Sequence, residues 1–200
     1  MRLFQCQACG QLVYFENRVC ERCGHALGYL AETGTISALE PIGDSWRALA
    51  LPDRAHRFCA NARFDVCNWL VPADTPETLC LACRHNRTIP ALAQGENVAR
   101  WGKLEVAKHR LVYTLLRLKL PLVSRVEDPE RGLAFDFIDE AVANGETVLT
   151  GHDNGVITLA LKETDDSERE QQRQEMGEAY RTVLGHFRHE IGHYYWDRLV

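Results

Sequence analysis

No stretch of this 200-residue chain is apolar enough, for long enough, to cross a bilayer, and its start, MRLFQCQACG, holds no run of signal-peptide length. These absences predict a cytoplasmic protein without a membrane partner. Basic blocks are missing as well. The net charge is −5, residues 1–100 are charge-balanced, and the negative excess sits in residues 101–200. Phosphate binding wants clustered Lys and Arg, so this balance argues against nucleic acid as a main partner. In a reducing compartment the eight cysteines read as metal ligands rather than disulfides. What is present is a 46% hydrophobic chain, long enough to bury a real core and to divide into one large and one small domain.

The cysteines come in two sets. Cys6-x2-Cys9-Gly10 and Cys20-x2-Cys23-Gly24 form matching halves. Each pair makes a tight turn that points two thiolates at one metal, and the glycine after it permits positive φ. Between them Leu12-Val13-Tyr14-Phe15 is strand-like. Four thiolates leave no open coordination position, so a zinc here is structural. Two such pairs without a βαβ context do not fit a redox C-x-x-C, and His25 reads as a surface residue. Residues 26–55, with Gly28, Gly34, Pro41, Gly43 and Pro52, read as a connecting stretch with short strands at best. Cys59, Cys67, Cys80 and Cys83 follow, and only Cys80-x2-Cys83 has knuckle spacing. His56 or His85 could replace one thiol, and Cys59 and Cys67 also suit small buried apolar positions. We expect a second structural zinc.

From Asn97 to Leu120 the pattern turns helical. Trp101, Leu104, Leu111, Leu115 and Leu118 recur at helical spacing, Pro121 ends the run, and the interspersed Lys and Arg read as a solvated face. Leu133–Phe137 alternates like a strand. Val148-Leu149-Thr150 and Val156-Ile157-Thr158-Leu159 flank Gly151–Gly155, where Asn-Gly suggests a hairpin turn. His152 and Asp153 read as turn residues. An exposed strand just ahead of the last helix can hold an extended peptide by backbone pairing.

That last helix carries the chemistry. His189-Glu190-Ile191-Gly192-His193 is an H-E-x-x-H run, and on a helix its histidines lie one turn apart on one face, where both imidazoles reach one zinc. Glu190 beside them can take a proton from a water that the metal activates. Ser167-Glu168-Arg169-Glu170 reads as a capping box, and no proline follows it. At ~100° per residue, Met176, Tyr180, Val183, Leu184, Phe187, Ile191, Tyr194 and Tyr195 form an apolar stripe. His186, His189, His193 and Trp196 fall nearly opposite. Gly185 and Gly192 share a third face, so close packing is expected there.

CNWLVPAD (67–74), TGHDNGVITL (150–159) and YRTVLGHFRHEIGHYYWDRLV (180–200) resemble the bacterial zinc-binding metallopeptidases with an N-terminal zinc-ribbon region. The resemblance covers nearly the whole chain. It implies an α+β protein: zinc ribbons over residues 1–95 (ribbon one 1–25, second cysteine cluster 56–88), then a zincin-like α/β peptidase domain from residue 96. His189, Glu190 and His193 carry over as its site. Such proteins continue well beyond the zinc helix, whereas this chain stops seven residues after His193. A catalytic zinc usually takes three protein ligands, and the third commonly comes from downstream. His186 lies on the right face, but three residues over two turns of one straight helix cannot easily close around one ion. The expectation is a peptidase domain truncated after its active-site helix. Its function would be zinc-dependent hydrolysis of a peptide or protein substrate. The alternative is a ribbon interaction module with a catalytically silent scaffold.

Overall fold

The computed structural model describes residues 2–139, 150–175, 177 and 182–200, with the side chains of residues 168, 172 and 175 left aside. Met176, Tyr180, Val148 and Leu149 therefore lie outside the described residues. The chain forms two compact units, Met1–Cys83 and Arg84–Val200.

In the first unit β1 (Phe4–Gln5) and β2 (Leu12–Val13) form a small hairpin with Phe4 opposite Val13. An antiparallel meander follows: β3 (Ala26–Leu30), β4 (Thr35–Ile42), β5 (Ser45–Ala48), β6 (Ala55–Phe58) and β7 (Leu70–Pro72). Residues 26–55 are thus a sheet, not a connecting stretch. Gly34 (φ 63°) and Gly43 (φ 57°) sit in the turns between strands, where positive φ costs glycine nothing. Gly28 lies inside β3, where an added Cβ would stand 2.7 Å from the Leu70 side chain. Tyr29 and Trp69 bridge, so the sheet curls until its first and last strands meet.

The hairpin is not a free-standing module. Phe15 meets Tyr29 edge-on at 5.0 Å, and Tyr29 lies 4.4 Å from Trp69. Asn68 donates to the Phe15 and Asn17 carbonyls at 2.8 and 3.1 Å. Gln7 donates to the Ile36 carbonyl at 3.0 Å and accepts from the Ala38 N–H at 2.6 Å.

The second unit is built on a sheet of order β10-β11-β9-β8. β8 (Asn86–Thr88) leads into α1 (Asn97–Arg117), which returns to β9 (Ala134–Ile138), parallel to β8. β8 belongs to this sheet, which is why the units divide after Cys83. β10 (Gly151–Asp153) and β11 (Val156–Ala160) pair antiparallel, and β11 runs parallel to β9. Ala134, Phe135, Asp136 and Phe137 are all buried, as a central strand covered on both faces requires. α1 ends as its pattern indicates, with Lys119 at φ 56° ahead of Pro121.

Not every α1 cation is solvated. Lys108 is fully buried, its Nζ 2.9 Å from Glu105, bonded to Asn86 and 5.5 Å from the Phe137 ring centre. The sequence pattern shows its position but not the buried carboxylate three residues back that makes the site tolerable.

The C-terminal region holds two helices, α2 (Asp166–Glu175) and α3 (Val183–Leu199). Ser167 does not cap α2: its own N–H donates to Asp165 Oδ1 at 2.9 Å. The α3 cap is Thr182, whose hydroxyl accepts from the Gly185 N–H at 3.1 Å. Among the described residues no helix is long and apolar enough to cross a membrane.

The buried Lys108–Glu105 pair generates a test. Lys108→Ala leaves an uncompensated buried carboxylate and should destabilise the protein by roughly 3–5 kcal/mol in urea unfolding. Arg47→Ala, breaking the exposed contact with Glu40, should change stability by less than about 1 kcal/mol. Equal losses would show that the α1 pair is not acting as a buried ion pair.

Candidate metal centres

The first centre grows from two knuckles of the same design. Gly10 N–H donates to the Cys6 carbonyl and Gly24 N–H to the Cys20 carbonyl, both at 2.8 Å, and the glycines take φ 74° and 76°. Cys6, Cys9, Cys20 and Cys23 thereby bring their sulfurs together, all within 4.8 Å, with Cys6–Cys23 and Cys9–Cys20 each at 3.6 Å. A tetrahedral zinc with Zn–S of ~2.3 Å holds its sulfurs ~3.8 Å apart, so the set fits that ion. Burial works against the Cys20 thiolate, but the Cys23 and Arg22 N–H groups outweigh it and lower that thiol to about 6. His25 is half-buried and stands outside the set.

The second centre needs no knuckle for half of its ligands. Cys59 follows β6, Cys67 precedes β7, and Cys80 and Cys83 come from the segment after it. Their sulfurs also lie within 4.8 Å of one another, with Cys67–Cys80 at 3.8 Å. Backbone N–H groups of Cys80 and Cys83 donate to Cys59 and Cys80 sulfur at 3.3 and 3.4 Å. Burial pushes the Cys67 and Cys80 thiols well above the usual range, so a divalent ion is needed to make thiolates of them. Four thiols complete the set without histidine. His56 is buried on β6 with its Nε2 3.7 Å from Glu32, and His85 falls in the second unit.

The third group is on α3. Val183, Phe187, Ile191, Tyr194 and Tyr195 are buried, while His189 and His193 are exposed. The two Nε2 atoms converge to 3.1 Å. Imidazoles on one tetrahedral zinc, with Zn–N of ~2.0–2.1 Å, sit ~3.3 Å apart, so this pair is also preset for the ion. Glu190 is half-buried on the same turn. His186 is drawn elsewhere, its Nδ1 3.3 Å from Glu163. Among the described residues no third His, Cys, Asp or Glu atom joins the pair. No packing explains Gly192, which is exposed and has nothing within 4 Å of an added Cβ.

His152 is the residue that sequence reasoning misplaced. The hairpin turn is Asn154-Gly155 alone (φ 44° and 89°), so Gly151–Asp153 is strand rather than turn. There the His152 ring lies parallel to His193, with centres 6.5 Å apart. Counting back from a two-residue Asn-Gly turn would have placed it on the strand.

The chain matches two family models: a zinc-ribbon domain over residues 3–94 and "Putative zinc-binding metallo-peptidase" over residues 97–200. It is 48% identical over 200 residues to Uncharacterized protein Rv2568c of Mycobacterium tuberculosis (strain H37Rv). Uncharacterized protein Mb2598c of Mycobacterium bovis matches equally, at 48% over 200 residues. In both cases the match takes in 100% of this chain and 54% of the relative, so the chain spans about half the length of the curated relatives it matches. No solved structure matches it.

Two tetrathiolate sets preset for zinc give a stoichiometry to test. The histidine pair, with no third donor among the described residues, should hold its ion too weakly to survive dialysis, so elemental analysis of the dialysed protein should find about two zinc ions per chain, and Cys9→Ser or Cys83→Ser should each remove one. A zinc-free preparation that keeps its fold would sink both assignments.

Proposed function

The chain belongs to the zinc-binding metallo-peptidase family, and on that premise we propose that it contributes the catalytic helix of a cytoplasmic, zinc-dependent hydrolase of peptide bonds. One observation carries the proposal: two Nε2 atoms 3.1 Å apart with Glu190 on the same turn, beside a sheet edge. In this reading His189 and His193 hold the zinc, and both cysteine sets hold structural zinc. When bound at the histidines, zinc supplies Lewis acidity, which lowers the pKa of water and polarises a carbonyl. The remaining work falls to the chain's own residues. Glu190 accepts the proton from the attacking water and delivers it to the departing amine. β10 is the outer strand of its sheet, paired with β11 alone among the described residues. Its free edge offers backbone N–H and C=O groups to an extended substrate, which fixes the scissile bond beside the helix. Reduced thiols fit the cytoplasm.

The absence of a third donor among the described residues favours one other reading, a ribbon module with a silent scaffold. Full-length protein separates the two. It should cleave unstructured peptides in a chelator-sensitive way, and Glu190→Gln should lower turnover by ~10²–10⁴ with zinc content retained. His189→Ala and His193→Ala should lose zinc and turnover together. Activity that survives Glu190→Gln would reject Glu190 as the base. Zinc binding without cleavage of any peptide in a broad library would favour the scaffold.

A further inference from the structure

Beside the Asn154-Gly155 turn, β10 and the last turns of α3 enclose a cavity of 230 Å³. Sites for whole small molecules start at about 300 Å³, so this space suits one side chain or a chain end. His152, Tyr194, Arg131 and Arg198 line it, with Asp197. Since the His152 ring is 6.5 Å from His193 and 6.2 Å from Tyr194, the cavity lies one ring away from the H-E-x-x-H pair.

Its polar groups are unusually disposed. Tyr194 is 2% exposed, yet its hydroxyl has no hydrogen-bond partner among the described residues. Leaving a buried hydroxyl unpaired costs about 1–3 kcal/mol, which a partner arriving with substrate would recover. Around the Tyr194 hydroxyl act three cations, Arg198, Arg125 and Arg131, against Asp128. The guanidiniums are held mainly by carbonyl oxygens, which orient them without cancelling their charge. Arg198 donates to the Arg131 carbonyl at 2.6 Å, Arg125 to the Asn154 carbonyl at 2.6 Å, and Arg131 to the Asp197 carbonyl at 3.3 Å. Asp128 stands 3.7 Å from Arg198, and the Asp197 side chain is exposed, so the cationic excess persists.

We propose that this cavity is a carboxylate-binding subsite for the peptide substrate, with the Tyr194 hydroxyl and the Arg198 and Arg131 guanidiniums as its donors. The proposal rests on the peptidase reading above and adds a substrate class to it. The carboxylate belongs either to an acidic side chain or to the C-terminus of the peptide. A planar guanidinium matches either source with two parallel hydrogen bonds.

The test uses the zinc-loaded chain carrying Glu190→Gln, so that bound peptides stay intact. Three fluorescent peptides share one neutral sequence: a C-terminal amide, the free acid, and the amide with one internal Glu. By anisotropy, one of the two carboxylate forms should bind at least about tenfold more tightly than the neutral amide, and which one does identifies the source. Tyr194→Phe and Arg198→Gln should each collapse that difference. Tyr194→Phe removes only an unpartnered oxygen and keeps the test open if Arg198→Gln fails to fold. Equal binding of all three peptides, no binding, or a preference that survives both substitutions would overturn the subsite. A Tyr194-dependent preference in a full-length protein that cleaves nothing would keep the subsite and remove the peptidase reading. Zinc-dependent cleavage with no carboxylate preference would do the reverse.

Discussion

The candidate site depends on which face of α3 is buried. Phe187 is fully buried and meets Phe135 edge-on at 5.6 Å and Phe137 at 6.3 Å, while Ile191, Tyr194 and Tyr195 continue the same contact surface. Burying such a side chain stabilises by about 1.5–3 kcal/mol. A rotation of the helix by one residue, ~100°, would withdraw several of them from the core at once. The opposite face offers one large apolar side chain, Trp196, which stays 67% exposed. The apolar stripe therefore fixes the helix, and His189 and His193 are exposed as a consequence. Their 3.1 Å convergence then follows from the one-turn spacing.

The same logic separates what the sequence revealed from what it concealed. Features set by spacing within a few residues were legible: the C-x-x-C-G knuckles, the two histidines one turn apart, the Asn-Gly turn and the stop of α1 before Pro121. Features set by distant partners were not. Gly28 looks like loop punctuation until Leu70, from the other end of the sheet, is found against it. Lys108 looks solvated until Asn86 and Glu105 close over its ammonium group. The capping box failed for a local reason of another kind, since Asp165, two residues before Ser167, offers a carboxylate to the Ser167 N–H. Cys59 and Cys67 lack knuckle spacing because the strands on either side of them, not a tight turn, bring their sulfurs together.

In the first unit the thiol clusters and the aromatic core act on each other. In each set one thiol is lowered, Cys20 by backbone N–H groups acting against burial and Cys59 by neighbouring thiols, while burial raises Cys6 in the first set and Cys67 and Cys80 in the second. A metal offsets that rise only if the surrounding backbone is already in place. Trp69 supplies part of that backbone: its N–H donates to Cys67 sulfur at 3.4 Å while its ring lies against Tyr29. Phe15 and Asn68 then carry the constraint to the first knuckle pair. The ribbon and the sheet are consequently one packing unit rather than a bead on a linker.

The hairpin of β10 and β11 couples backbone to chemistry in a comparable way. Its turn takes positive φ at both Asn154 and Gly155, which leaves the Gly155 N–H pointing back at the strand, and that N–H donates to His152 Nε2 at 2.9 Å. With Nε2 accepting, the proton of the neutral imidazole belongs on Nδ1. The ring lying parallel to His193 is therefore oriented by a two-residue turn and presents an N–H donor from its other nitrogen. Among the described residues β10 pairs with β11 alone, so an extended chain laid along its other edge would pass close to this ring and to that of Tyr194. Short edge strands are normally blunted against chance pairing. The three residues of β10 end at the exposed Asp153 and Asn154, polar groups that disfavour chance pairing beyond the turn.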